Sequence, residues 1–566
     1  MKTNYEEVRK ENNPPHIKLC TLSGNSEVGR NCSFIEDRQN IILVDAGLSF
    51  PEQELFGIDY LIPNLDYLKK NKHKVRAIFI THGHLDHIGA LPFILPLLGF
   101  PKVYAGSFAS ELIKQKLKEY KILDKTRLIV VNRNTEIQIG RMKVTFIGVT
   151  HSIPHAFSIF VETLAGNIFF SGDFKIDETP ANEQQTDYEK LKSLRGRVDL
   201  ALIESTNSSS IGKSTSETEV SVSIEELLRS ASGRVILASF ASQVSRLYVV
   251  SKIASKLDKK VLLLGRSLKD AFRIARELNY IDLPETLFIT HNDLSKYPDN
   301  KIVILCTGSQ GEQFGALSLL SKGENRFVKI KAGDRVILSS SEIPGNEYKI
   351  GRMTDRLIKL GVELITNKLD TVHATGHGLQ EDLKTMYEMI MPKNVMPIHG
   401  TLTMRYFNKR NFISWGMKSE SIHLTDDGQV WEVSKNLIRR GKAILSKPVM
   451  IDAMGISDLG EVVLRDREVL AEYGMICMVI NLSHKTKKII GRIRFASRGF
   501  IYMNKSEELL KEIENEIYTV HKGWLEDTRN NNKLEISKFK EALSKHISKF
   551  LYKKTKREPL IMVVII

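Results

Sequence analysis

Short runs of aliphatic and β-branched residues alternate, over the first third of the chain, with polar clusters rich in turn formers. Residues 41–45 (IILVD), 77–81 (AIFIT), 143–150 (KVTFIGVT), 167–170 and 200–204 are short, apolar and β-branched, which predicts buried strands. Most end in a polar or small cluster. From about 217 to 345 the rhythm changes: a helix from Glu217, strand 234–239, helix 245–257, strand 261–264, helix 267–278 and strand 301–306. Strands alternating with helices of this length predict a parallel sheet wound with helices on both faces. Residues 336–340 and 363–365 return to a strand pattern, and a helix follows near 379–391. The basic, turn-rich segment 439–448 (RRGKAILSKP) reads as a linker into a terminal unit. That unit begins as strands and ends with Ile536, Phe539, Leu543, Ile547 and Phe550 at helical spacing. Its last residues, LIMVVII, must pair with a sheet or a neighbouring subunit, because an open apolar edge aggregates.

With 566 residues, 42% hydrophobic and 26% charged, the chain has room for about three or four globular units and excludes a disordered or collagen-like one. The longest strongly apolar stretch, 90–101, holds two internal prolines and falls short of the roughly 20 residues that span a bilayer. The opening MKTNYEEVRKENNPP has no apolar core of the secretory kind, so the expectation is a cytoplasmic protein with no membrane partner. Cys20, Cys32, Cys306 and Cys477 are too scattered for a zinc ribbon or disulfide framework. Lys+Arg 82 against Asp+Glu 67 leaves +15, which fits either solvated helix faces or the footprint of a polyanion.

Chemistry concentrates first in THGHLDHIGA, directly after the strand AIFIT. His82, His84, Asp86 and His87 offer three imidazoles and a carboxylate from one loop, a set suited to borderline divalent metals such as zinc with coordination positions left open. A strand followed by a ligand loop puts the site at a sheet edge, where α/β proteins bind ligands. No single loop surrounds two ions, so a metal pair needs ligands from other strand ends. His151 after KVTFIGVT, Asp173 in SGDFK and His399 after NVMPI occupy such ends, although each alone passes for a loop, turn or cap residue. Thr307, Gly308, Ser309 and Gly311 follow the strand KIVILC in a turn whose N–H groups and hydroxyls can cradle a phosphate.

These residues, together with VDAGLSFPE, THSIPH, SGDFK, ESTN, TGSQGE, IPGNE, HATGHG, PIHG, RDREVLAEYG and SRGFIYM, span about residues 16 to 566. On them the chain resembles the β-CASP nuclease branch of the metallo-β-lactamase superfamily, and within it the bacterial ribonuclease J family. The resemblance implies an α/β architecture: a metallo-β-lactamase αββα sandwich (1–206 and 348–438), an inserted doubly wound β-CASP domain (207–347), a linker (439–450) and a small α+β C-terminal domain for oligomerisation (451–566). It implies two zinc ions per protomer, with manganese or magnesium able to support activity. His82, His84 and His151 would hold one ion, Asp86, His87 and His399 the other, with Asp173 bridging and Asp45 orienting the histidine loop.

Glu204 and His377 match the branch's acidic and histidine motifs and, with Asp86, are the implied catalytic residues; His373, Thr375, Gly376 and His377 join Thr307, Gly308, Ser309 and Gly311 as implied RNA contacts. The function implied is 5′→3′ exonucleolytic and internal cleavage of single-stranded RNA, preferably 5′-monophosphorylated, in RNA maturation and mRNA decay. A homodimer or homotetramer and RNA-degradation partners accompany it. A DNA nuclease of the same branch and a catalytically silent structural paralogue remain open alternatives. The chain departs from the family pattern at Leu85, His155, Glu204, Thr375 and Thr401, none of them an implied metal ligand.

Overall fold

A computed structural model describes residues 16–566 except 52–54, 56, 182–183, 344, 436, 453–454, 457–460, 502–505 and 532–534. Glu52 of VDAGLSFPE, Pro344 of IPGNE, Tyr502 and Met503 of SRGFIYM, and the opening segment lie outside the described residues. The chain divides into two compact units: residues up to Ser49 with Leu61–Val449, and Phe50–Tyr60 with Met450–Ile566.

Two sheets of the first unit share one core. The eight-stranded sheet runs, edge to edge, Leu437–Arg440, Val430–Ser434, Ile17–Ser23, Cys32–Glu36, Ile41–Val44, Val75–Phe79, Lys102–Gly106, Leu128–Val131. The six-stranded sheet runs Val395–Ile398, Leu200–Glu204, Ile168–Phe170, Ala156–Glu162, Met142–Val149, Glu136–Ile139. Ile42, Val44 and Phe79 of the first meet Val144, Phe146, Ile159, Phe170 and Leu202 of the second. Each such side chain, fully removed from water, contributes about 1.5–3 kcal/mol. The other face of the smaller sheet is covered by helices Gln380–Ile390 and Leu402–Ser414 through Leu383, Met386, Ile390 and Phe412.

Strand direction then decides where the chemistry goes. Val44 pairs in parallel with Phe79, Phe170 with Leu202, and Glu204 with Ile398. Met142–Val149 is antiparallel to Ala156–Glu162, which is antiparallel to Ile168–Phe170, so it too runs the same way. The loops that follow Val44, Phe79, Val149, Phe170, Glu204 and Ile398 therefore leave from carboxyl ends.

The third sheet is wholly parallel, in the order Phe288–Ile289, Lys260–Leu264, Ile302–Cys306, Val235–Ala238, Arg335–Leu338, Glu363–Thr366. One face packs on Val220, Leu228, Leu247 and Val250, the other on Leu317, Leu320, Met353 and Leu357, as a doubly wound sheet requires. Its last strand, Glu363–Thr366, extends the sheet beyond residue 347.

Two apolar segments resolve differently from each other. The stretch 90–101 contains helix Leu91–Leu98, which tolerates Pro92 in its first turn and ends at Gly99 with φ 77°. Among the described residues no helix is long and apolar enough to cross a membrane. The terminal run forms strand Leu560–Ile565, parallel to Met475–Ile480 with Met475 opposite Leu560, so its partner is a strand of the same chain. Ile476, Met478 and Ile480 pack beneath helices Glu507–Asn531 and Ile536–Thr555 on Ile513, Ile517, Phe539, Leu543 and Ile547. The second unit is thus richer in helix than its pattern suggests, since Glu461–Tyr473 is helical as well. Arg439 and Arg440 belong to the strand Leu437–Arg440, which pairs with Val430–Ser434, so the basic segment opens on sheet.

Candidate metal centre

Asp45, one residue past its strand, takes φ 63°, a conformation that Asp tolerates better than most side chains. The bend turns its carboxylate onto the neighbouring loop. Oδ1 accepts from Thr81 N at 2.8 Å, Oδ2 from Thr81 Oγ1 at 2.9 Å, and Oδ2 lies 2.8 Å from His87 Nδ1. With Nδ1 bound to a carboxylate, His87 presents Nε2 to the site. Gly47 lets the histidine loop come this close: a Cβ there would fall 1.6 Å from Asp86 O.

Beyond this support the ligand atoms gather into two groups that share Asp173. In the first, His84 Nδ1 lies 3.0 Å from His82 Nε2 and 3.1 Å from His151 Nε2, while Asp173 Oδ2 lies 3.5 Å from His82 Nε2. In the second, His87 Nε2 lies 3.2 Å from Asp173 Oδ2 and 3.4 Å from Asp86 Oδ2, and His399 Nδ1 lies 3.2 Å from Asp173 Oδ1. Such nitrogen and carboxylate oxygen sets fit divalent zinc or manganese. Burial holds His82, His84 and His151 below the usual histidine range, His84 at about 4, so their rings keep lone pairs free for a cation. Burial opposes charge on His87 as well, but Asp173, Asp86 and Asp45 outweigh it and push that ring up. A further sign of fit is His399 Nε2, buried and without a hydrogen-bond partner among the described residues.

The carbonyl of Gly376 accepts from His151 Nδ1 at 2.6 Å, fixing that ring as Asp45 fixes His87. A Cβ on Gly376 would lie 2.7 Å from His151 Cε1, so a side chain is excluded there. Glu204, 1% exposed, accepts from Phe174 N at 2.8 Å through Oε1 and lies 2.6 Å from His377 Nδ1 through Oε2. His377 Nδ1 is also 3.9 Å from Asp173. Burial works against charge on His377, yet Glu204 and Asp173 raise it to about 9.

Two residues here escape sequence reasoning. Asn31 Nδ2 lies 3.1 Å from His87 Nε2 and donates to Asp86 O at 3.2 Å; nothing in its sequence context marks it. Asn207 donates to Thr375 Oγ1 at 2.9 Å and to His377 O at 3.1 Å, and its place in ESTN was the available signal.

The remaining candidates lie along the carboxyl edge of the third sheet. Thr307 and Gly308 follow Ile302–Cys306 directly, Gly308 and Gly311 take φ of 101° and 72°, and Thr307 O accepts from Leu317 N. Ser309 Oγ and His373 Nδ1 are buried without partners among the described residues. Thr375 Oγ1 also accepts from His377 N at 3.2 Å. Burial and then the Arg246 guanidinium push His373 down to about 3. At that value its ring is neutral near pH 7, so any hydrogen bond it gives is that of a neutral imidazole.

Of the departures from the family pattern, Glu204 and Thr375 are the residues just described beside His377, whereas His155, Thr401 and Leu85 lie around the centre. His155, at φ 60°, meets Ser107 Oγ at 3.1 Å, and Thr401 caps helix Leu402–Ser414 by accepting from Met404 N. Leu85 is exposed.

Two sandwiched sheets, a histidine and carboxylate cluster at their strand ends and an inserted doubly wound sheet define a metal-dependent hydrolase of the metallo-β-lactamase superfamily with a β-CASP insertion. Family models agree: metallo-beta-lactamase superfamily over residues 26–192, ribonuclease J beta-CASP domain over 232–357 and ribonuclease J C-terminal domain over 462–566. The chain is 36% identical over 554 residues to ribonuclease J 1 of Streptococcus pyogenes, covering 98% of each, and 34% identical over 557 residues to ribonuclease J2 of Bacillus subtilis, covering 98% of this chain and 99% of that one. It is similar in fold to a solved protein of unknown function from Enterococcus faecalis, with TM-score 0.53 and 16% identity over 73% of this chain and 99% of the other. The chain belongs to the ribonuclease J family, and it is a metal-dependent nuclease.

Proposed function

We propose that the chain is a zinc-dependent ribonuclease that degrades single-stranded RNA from a 5′ monophosphate end, releasing 5′-mononucleotides, and also cuts internally, in RNA maturation and mRNA decay in the cytoplasm. The observation that carries this reading is the pair of ligand groups sharing Asp173 beside the His377–Glu204 pair. His82, His84 and His151 would hold one zinc ion, and Asp86, His87 and His399 a second, with Asp173 common to both; manganese or magnesium is the alternative load. Bound metal supplies the Lewis acidity that activates water toward a phosphodiester. His377, oriented by Glu204 at Nδ1 and raised by that carboxylate, would present Nε2 to donate a proton to the departing 3′ oxygen.

Ser309 Oγ and the N–H groups of the Thr307–Gly311 turn support a terminal phosphate, with Gly376 and Thr375 lining the approach to the metals. The net charge of +15 suits a polyanion. A homodimer or homotetramer built on the second unit, and RNA-degradation partners, complete the reading.

The test is cleavage of a 5′-labelled RNA carrying monophosphate, triphosphate or hydroxyl ends, with and without chelator, beside the matched DNA strand. Chelator should abolish cleavage, and the monophosphate end should be consumed fastest as mononucleotides. Equal cleavage of DNA would replace the RNA reading, because the 2′-OH is the handle that separates the two. Metal binding without cleavage of either strand would point instead to a structural subunit.

A further inference from the structure

A second charged assembly lies apart from the metal ligands and wholly inside the protein. Lys175, Asp177, Arg246 and Glu217 are 0%, 2%, 2% and 8% exposed. Arg246, on helix Val244–Lys256 of the inserted unit, donates to Glu217 Oε2 through Nε at 3.0 Å and Nη2 at 2.7 Å. Its remaining arm donates through Nη1 to Val372 O at 2.8 Å and to Ser339 Oγ, which itself donates to Val372 O at 2.7 Å. Glu217 Oε1 lies 3.5 Å from Lys175 Nζ, and Lys175 Nζ lies 3.2 Å from Asp177 Oδ2. Asp177 closes the chain by accepting from Glu217 N at 3.0 Å.

Two cations balance two anions, so the assembly offers no net charge to a substrate. Its geometry is that of a strut. At one end Lys175 is two residues from Asp173, and its backbone N donates to Thr150 O at 2.8 Å, beside His151. At the other end Val372 opens the segment that supplies His373, Thr375, Gly376 and His377. Burying charges at this density is costly before pairing, and apolar packing would stabilise the fold as well. What an apolar cluster would not supply is a rigid fork that fixes one carbonyl and one carboxylate at set distances.

We propose that Arg246 is a positioning residue: through Glu217 and Lys175 it locks the Val372–His377 segment to the Asp173–Asp177 segment, so that the groups that contact substrate and those that bind metal hold one fixed spacing. Its kinetic arm rests on the ribonuclease reading above; its dynamic arm does not. The full-length zinc-loaded protein is compared with Arg246→Lys, Arg246→Met and the pair Glu217→Gln with Arg246→Met, the last leaving neither of those two charges buried alone should the single Met variant fail to fold. Hydrogen–deuterium exchange is followed by mass spectrometry in peptides covering 173–177 and 372–378. Hydrolysis is measured on a monophosphorylated RNA and on bis(p-nitrophenyl) phosphate, which needs the metals but no RNA track.

The expected result is at least tenfold faster exchange in both peptides, at least tenfold lower kcat on RNA, and a clearly smaller loss on the small diester, since the Gly376 carbonyl in the loosened segment also holds His151. Arg246→Lys, which keeps the charge without the fork, should fall between. Unchanged exchange, or equal losses on the two substrates, overturns the proposal. Inactivity of the unmodified protein on RNA would defeat the ribonuclease reading and leave exchange to decide this one.

Discussion

Replacing Asp45 by Asn tests whether the carboxylate behind the histidine loop sets the metal site. Asn is nearly isosteric and tolerates φ 63°, so the bend survives. Its carbonyl oxygen can still accept from Thr81 N, the 2.8 Å contact of Oδ1. Its amide then replaces Oδ2 opposite His87 Nδ1, where the carboxylate stood 2.8 Å away. A donor in that place forces Nδ1 to accept, the ring proton moves to Nε2, and the lone pair facing Asp173 and Asp86 is lost. Loss of such an orienting partner typically costs 10–100-fold in metal affinity, about 1.4–2.7 kcal/mol. Global stability should fall by only about 1 kcal/mol, since one buried hydrogen bond changes character and no cavity forms. Titration with zinc against a competing chelator measures the affinity, and urea unfolding of the metal-free protein measures the stability. Zinc affinity within threefold of the parent, or a stability loss above about 3 kcal/mol, would refute the tautomer argument.

Three further outcomes follow from the same geometry. His373 sits at about 3 in the folded protein against an ordinary 6.5, so the unfolded chain takes up its proton first as pH falls; this group alone should contribute a stability loss of up to about 1.4 kcal/mol per unit from about pH 6.5 downward, beside the like-signed contributions of His82, His84 and His151, and His373→Gln should make the fall between pH 7 and 5 in urea titrations shallower by that share. Ser309→Ala should lower kcat/KM at least tenfold on monophosphorylated ends while sparing internal cleavage of a circular RNA, and equal losses would remove Ser309 from end recognition. Met562, 47% exposed on the sheet face opposite Ile561 and Val563, should lie in a subunit contact; Met562→Glu should shift light scattering from dimer to monomer, and an unchanged mass would exclude that face.

Local pattern made the elements around the metals legible. The run 200–204 forms strand Leu200–Glu204, and the alternation from Glu217 onward yields the parallel sheet with helix Val244–Lys256 where residues 245–257 suggest one. The ligand types were readable because they follow strand ends, and parallel strands bring such ends together. What stayed hidden depends on contacts far apart in sequence. Asn31 meets His87 across 56 positions and Arg246 meets Val372 across 126. The resemblance implies that His373 contacts RNA, while its burial beside Arg246, which pushes its ring down to about 3, is set by a helix more than a hundred residues earlier. The helices Glu461–Tyr473 and Glu507–Asn531 escaped for a different reason. Their apolar faces are broken by charged residues, so periodicity alone does not separate them from exposed loop.

The bond from His151 Nδ1 to the Gly376 carbonyl has a consequence for how the protein comes to be made. His82, His84 and His151 emerge from a ribosome early, but the carbonyl that orients His151 is translated 225 residues later, and His399 later still. A nascent chain that has folded its first strands carries some of its metal donors without the rest. If these residues hold the metals as proposed, hydrolytic competence would require near-complete synthesis. On the two-ion reading proposed above, a translation product ending before His399 would lack one donor of the second ligand group.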